Sequence, residues 1–159
     1  MNLNTIVVAT DFSEASLIAA ETAFRLALES HAVVYLLHVV EYPVPTDPFV
    51  GVVVPSLGQL YSEEMERLQS LIPHNLKGRL IIKWVVLAGS PAKMIARFAD
   101  QEDADLIVVG THGRKGLSRM LMGSTAESLL REAPCQVLVV KQKAESKANL
   151  PNARRKKAS

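Results

Sequence analysis

Apolar and polar positions fall into blocks along the chain, and each block has the length of one secondary-structure element. Thr5–Ala9 (TIVVA) is a short β-branched run without internal alternation, the pattern of a strand buried on both faces. Thr10-Asp-Phe-Ser13 then supplies loop and cap residues. From Glu14 to about Glu29 the spacing becomes helical, with Leu17, Ala20, Phe24, Ala27 and Leu28 on one stripe and Ser13 as N-cap. Ala32–Val40 reads as a second buried strand. Glu41–Leu57 holds Pro43, Pro45, Pro48 and Pro55, which forbid regular helix and interior strand and predict a long loop or flap.

The alternation continues to residue 140. Gln59–Ile72 predicts a helix with Leu60, Met65, Leu68 and Ile72 inside and Glu63, Glu64, Glu66 and Arg67 in water. Leu80–Leu87 is a third strand, and Gly89-Ser90-Pro91 opens a helix over Ala92–Asp103 that buries Ile95, Phe98 and Ala99. Leu106–Val109 is a fourth strand, followed by the loop Gly110–Gly123, a helix over Ser124–Glu132, a stop at Pro134 and a fifth strand at Gln136–Val140. Strand and helix in strict turn predict a single α/β domain, a doubly wound, Rossmann-like sheet with right-handed crossovers, over residues 1–142. Residues 143–159 are polar, end in Arg154-Arg-Lys-Lys157 and read as a disordered basic tail.

Composition narrows the class. Hydrophobic residues are 48% of the chain but aromatics only 5%, so the core is built from Val, Leu, Ile and Ala. Residues 1–142 carry 12 Lys and Arg against 15 Asp and Glu, a net −3, while 143–159 carry 6 against 1, a net +5. The basic excess therefore sits outside the folded part, which argues against nucleic-acid binding by the domain itself. The single cysteine, Cys135, excludes an intramolecular disulfide and, beside Val137–Val140, reads as a buried, inert thiol. Met1–Thr5 lacks a charged start, and Ala15–Leu28 is interrupted by Glu21 and Arg25, so neither a signal peptide nor a membrane span is expected and the location read is cytoplasmic.

Candidate chemistry gathers after the fourth strand. Gly110 and Gly113 stand three apart, and Gly123 precedes a helix that opens Ser124-Thr125. Glycines there let backbone N–H groups approach a ligand, and a helix N-terminus adds free donors and the positive end of its dipole, together favouring a phosphate. Arg114, Lys115 and Arg119 raise the local positive potential. Ser124-Thr-Ala-Glu127 also fits a capping box, in which the serine serves only its own helix, and His112 reads either as a phosphate or ribose contact or as an ordinary loop residue. Asp11, just past strand one, suits a ribose hydroxyl or a magnesium ion at a switch point of the sheet, or alternatively caps the next helix. No Gly-x4-Gly-Lys-Ser/Thr loop, Gly-x-Gly-x-x-Gly turn or Gly-x-Ser-x-Gly elbow occurs, and His31, His38, His74 and His112 lack metal-ligand spacing.

Gly110-Thr-His-Gly113, nine residues and then Gly123-Ser124 resembles the Gly-x2-Gly-x9-Gly-Ser/Thr signature of ATP-binding universal stress proteins. Ile6-Val-Val-Ala-Thr-Asp11-Phe-Ser13, Leu37-His-Val39, Gly89-Ser-Pro91 and Pro134-Cys-Gln-Val-Leu-Val-Val140 are similar to that family too. The resemblance implies a five-stranded parallel sheet in the order 3-2-1-4-5 and a homodimer paired through strand five. It further implies adenine near Ala9 and Val39, ribose near Asp11 and Val109, and the phosphates of ATP, with or without Mg2+, at Gly110, His112, Gly113, Gly123, Ser124 and Thr125. Ala9 departs from the family pattern, standing where many relatives have proline.

Three functions compete on these residues. The first is a nucleotide-responsive binding module for stress, an ATP-occupied dimer with a surface read by a protein partner. The second is a slow magnesium-dependent ATPase or adenylate-transferring enzyme, with Asp11 on the metal and His112 as proton acceptor; the sequence supplies no base with an orienting partner. The third is a nucleic-acid or membrane-surface adaptor acting through Arg154–Lys157.

Overall fold

Thr5–Ala9 (β1), Val33–Val40 (β2), Ile81–Ala88 (β3), Leu106–Gly110 (β4) and Gln136–Val140 (β5) pair in parallel in the order β3-β2-β1-β4-β5. The computed structural model describes residues 3–41, 57–111 and 122–141. The expected flap, apart from its two end residues Glu41 and Leu57, and the whole expected tail lie outside these residues. The helices are Glu14–Ser30 (α1), Leu57–Ser70 (α2), Pro91–Gln101 (α3) and Ser124–Glu132 (α4), with one 3-10 turn at His74–Leu76 that the periodicity does not announce.

The register sorts the strand residues onto two faces. Val8 lies opposite both Leu36 and Val108, and this row packs with Val34, Phe24 of α1 and Leu68 of α2. Val7 lies beside Tyr35 and Ile107, and this row packs with Leu37, Ile95 and Ala99 of α3 and Ala126 and Leu129 of α4. Both faces of β1 and β4 are therefore covered, which is why their sequences run apolar without alternation. Each fully buried Leu, Ile or Phe in these layers contributes about 1.5–3 kcal/mol over its exposed state.

Two sequence expectations change on packing. The buried stripe of α1 is Ala15, Ala19, Ala23 and Ala27, with Ser16, Ala20 and Phe24 beside it, whereas Leu17 and Leu28 are only half-buried. The first turn of the helix meets β4 at Gly110, where small residues line the contact. Leu68 of α2 and Ile72 just beyond its end are buried as expected, but Glu64 is not in water; its side chain is 18% exposed. The α3 side chains behave as read, with Ile95 and Ala99 buried and Phe98 packed against them.

Side-chain bonds pin the sheet at its amino ends and at one edge. The backbone N–H groups of Asn4 and Thr5 donate to Asp105 Oδ2 at 2.7 and 2.9 Å, tying the start of β1 to the start of β4 and holding this carboxyl below the ordinary aspartate range. On edge strand β3, Lys83 Nζ donates to the Tyr35 hydroxyl at 2.8 Å, and that hydroxyl donates to Glu102 beyond the end of α3.

Candidate functional site

The chain leaves β1 into α1 on one face of the sheet and leaves β4 toward α4 on the other, although β1 and β4 are neighbours. Segments that depart to opposite faces leave a crevice at the carboxyl ends of the two strands, the place where open α/β sheets hold ligands. Asp11 and Gly123 thus lie just beyond the carboxyl ends of these two neighbouring strands.

The β1–α1 loop is fixed at each residue. The Thr10 backbone N–H donates to the Leu37 carbonyl at 2.9 Å, the Thr10 and Ser16 hydroxyls share a 2.9 Å hydrogen bond, and the Phe12 N–H donates to Thr10 Oγ1 at 3.0 Å. Asp11 Oδ1 accepts from the Ser13 N–H at 3.0 Å and from Ser13 Oγ at 2.5 Å, while Ser13 Oγ accepts from the Ser16 N–H as N-cap of α1. Asp11 therefore supports the helix cap through one oxygen, so the capping role and a ligand role are both open to a carboxylate in this position. Phe12 takes a left-handed φ of 64°, a conformation that costs a non-glycine residue roughly 1–2 kcal/mol. Its ring is held between the His38 ring, 4.7 Å between centroids, and the Arg67 guanidinium, 3.8 Å above it.

On the other side, the Thr111 N–H continues the β4–β5 ladder to the Val140 carbonyl at 3.0 Å, and the Gly123 N–H donates to the Thr111 carbonyl at 2.6 Å. This second bond brings the start of α4 to the end of β4 across the intervening loop. Gly123 is the N-cap and Ser124 the first helical residue, with no side-chain cap on the helix. The capping box read from Ser124 to Glu127 does not form: the register is one residue off, and Glu127 instead accepts from Arg131 at 2.9 Å. The first N–H groups of α4, at Ser124, Thr125 and Ala126, precede the first intrahelical bond, from the Glu127 N–H to the Gly123 carbonyl. Such a terminus fits an anion. His112, Gly113, Arg114, Lys115 and Arg119 lie outside the described residues.

Gly110 has a structural reason that the spacing did not reveal. A Cβ built there would stand 2.7 Å from the Ala15 carbonyl carbon and 2.9 Å from the Ser16 nitrogen. The missing side chain makes room for α1. Ala9, Val39 and Val109 do share one face, that of α3 and α4, where Val39 and Val109 are buried and Ala9 packs against them. They form an apolar floor at the carboxyl ends of β1, β2 and β4.

His38 is the site residue that sequence reasoning missed. It is buried, with Nδ1 2.7 Å from the Thr10 carbonyl oxygen and Nε2 3.8 Å from Glu64 Oε2. Its place in an apolar strand was the available signal, since a buried imidazole needs partners. Cys135 is half-buried, and burial, followed by the charge of Asp105, raises its thiol above the ordinary range. Among the described residues no group of three His, Cys, Asp or Glu side chains could hold a metal ion, and no helix is long and apolar enough to cross a membrane. Two surface hollows of about 400 and 540 Å³ lie toward the amino end of β3, against Leu76 and the flanks of α1 and α2, away from the crevice.

Residues 2–141 match the universal stress protein family, and the chain belongs to it. It is 40% identical over 142 residues to a universal stress protein of Methanocaldococcus jannaschii, MJ0531, covering 86% of this chain and 81% of that one. Among solved structures it is similar to the universal stress protein UspA from Lactobacillus plantarum, with 26% identity, a TM-score of 0.71 and coverage of 88% and 99%. It is also similar to a universal stress protein solved in complex with cAMP, with 26% identity, a TM-score of 0.60 and coverage of 88% and 98%.

Proposed function

We propose that this chain is a nucleotide-binding module that holds ATP in the crevice between β1 and β4 and acts through a partner protein in the response to stress. The observation that carries this reading is the start of α4, which has no side-chain cap and is joined by the Gly123–Thr111 hydrogen bond to the end of β4, the strand beside β1. Phosphates sit on the N–H groups of Ser124 and Thr125 with the Ser124 hydroxyl, beside Gly123, and on the loop residues His112 and Gly113 that follow Gly110. Ribose sits against Asp11 and Val109, and adenine on the apolar floor of Ala9 and Val39. The cAMP complex of a family relative supports an adenine nucleotide as the ligand class.

The protein works by binding and not by turnover. Phosphoryl transfer needs an in-line water, metal neutralisation and a fixed cation. The carboxylate at this crevice, Asp11, is assigned to the ribose end, and one of its oxygens is engaged by Ser13. The assembly we propose is a homodimer through β5, which among the described residues pairs on one side only, with β4. The test is mass analysis of nucleotide released from the purified, heat-denatured chain, followed by incubation of the chain with ATP and magnesium. Released ATP that also survives incubation is expected. Absence of any adenine nucleotide, with no ATP binding in calorimetry, refutes the site; phosphate release near the typical enzymatic rate of about 10 per second refutes the binding role.

A further inference from the structure

Among the described residues, three that are not glycine take a left-handed φ: Phe12 at 64°, His31 at 61° and Asp103 at 47°. His31 is the C-cap of α1, and Asp103 stands one residue past the C-cap of α3, places where left-handed backbone is ordinary. Phe12 instead precedes a helix, directly before the N-cap Ser13, and its side chain is bulky. Such a conformation persists only where the surroundings hold it. Here they come from outside the loop. The Phe12 ring packs on the His38 ring of β2, 4.7 Å between centroids and tilted by 49°, and the Arg67 guanidinium of α2 lies 3.8 Å from the Phe12 centroid, well inside cation–π range. His38 is itself fixed, being buried with Nδ1 2.7 Å from the Thr10 carbonyl oxygen. The bonds within the loop, from the Phe12 N–H to Thr10 Oγ1 and from the Ser13 N–H to Asp11 Oδ1, would serve any residue at position 12.

We infer that β2 and α2 hold residue 12 in its left-handed turn by gripping the Phe12 ring, and that this grip sets the position of Asp11 for the nucleotide. The φ of residue 12 is the rotation that orients Asp11 relative to Ser13 and α1, so a change there carries Asp11 with it. Phe12 and Arg67 are therefore positioning residues, acting on the ligand through Asp11. Without the grip, residue 12 spends part of its time at ordinary φ. Only the fraction that stays left-handed presents Asp11 correctly, and the apparent affinity falls by that fraction. The part played by Asp11 rests on the nucleotide reading above.

Two substitutions at position 12 separate the ring from the backbone. Phe12→Ala loses the ring and keeps the ordinary aversion to left-handed φ, so ATP affinity in calorimetry is expected to fall about tenfold. Phe12→Asn loses the ring equally but tolerates that φ, and its affinity is expected to fall only about threefold. Equal losses overturn the inference, because a ring that served only packing would weaken both variants alike. Arg67 is 51% exposed, so its variants carry the least risk to folding. Arg67→Met is expected to lose about threefold, and Arg67→Lys, which keeps a cation for the ring, to stay within about twofold of wild type. In the Phe12→Asn background Arg67→Met should cost nothing further; a second loss of the same size would mean that Arg67 meets the ligand directly, and overturns its role. Without nucleotide, the amide hydrogens of Phe12 and Ser13 are expected to exchange about threefold faster in Arg67→Met than in wild type, and unchanged rates overturn the grip. Should the wild type bind no ATP, the nucleotide reading fails, and these exchange rates judge the grip by themselves.

Discussion

A Cβ on Gly110 would stand 2.7 Å from the carbonyl carbon of Ala15, closer than a side-chain carbon approaches backbone. The last residue of β4 and the first turn of α1 are in contact backbone to backbone, and the alanine ridge of α1 continues that close approach along the sheet. Gly110→Ala therefore has to push α1 outward, at a cost of about 1–3 kcal/mol. Gly58, near the start of α2, provides the opposite case, because nothing lies within 4 Å of its added Cβ. Gly58→Ala should leave stability unchanged or raise it by up to about 1 kcal/mol. Urea unfolding of both variants measures the contrast; equal effects would mean that α1 does not set the need for glycine at 110.

Asp11 has two duties that separate by substitution. Asn retains an oxygen for the Ser13 N–H and hydroxyl but loses the charge, so Asp11→Asn should unfold within about 0.5 kcal/mol of wild type while ATP affinity falls about tenfold. Asp11→Ala loses the cap support too and should fall by about 1 kcal/mol as well. Calorimetric titration together with thermal unfolding reads both; an Asn variant with undiminished ATP affinity removes Asp11 from the ribose contact.

Gly123 adopts φ −62° and ψ 145°, a backbone open to any residue. Gly123→Val is thus compatible with the fold, and its branched side chain at the N-cap crowds whatever anion approaches the α4 terminus. The expected result is a folded protein whose ATP affinity drops about a hundredfold, the loss of roughly one to two charge-assisted hydrogen bonds. Calorimetry that finds the affinity unchanged would move the phosphates away from α4.

Asp105 makes acid stability the testable quantity at the amino end of the sheet. Its carboxyl is held below the ordinary range by the N–H groups of Asn4 and Thr5. A group depressed in the folded state stabilises above its unfolded pKa of about 3.9, and that contribution disappears as pH falls through the folded value. Asp105→Asn should therefore narrow the difference in melting temperature between pH 5 and pH 3. The effect is small because the carboxylate is largely solvated. An unchanged pH 5-to-3 difference would show that the two N–H bonds do not favour the charged form.

Periodicity determined the five strands and four helices of the described residues, though not the 3-10 turn at His74–Leu76. The ends of β1 and β5 and the whole of α4 fall where local pattern placed them, because a two-face-buried strand and a one-face helix each have their own spacing of apolar residues. The grouping of Asp11 with Gly123 was legible for the same reason, since alternation of strand and helix puts the ends of all parallel strands on one side. Tertiary structure decided what each side chain meets there. Leucine outranks alanine on any hydrophobicity scale, yet α1 buries Ala15, Ala19 and Ala23, and its first turn meets Gly110 of β4 closely. Ser124 has no capping role because it is the first helical residue of α4, one past the N-cap Gly123, although the helix itself begins where its pattern placed it. Glu64 read as a wet residue because its neighbours on α2 are charged. It becomes a partner of His38 only when α2 is laid across β2, and a meeting between residues 26 positions apart has no signature in the chain between them.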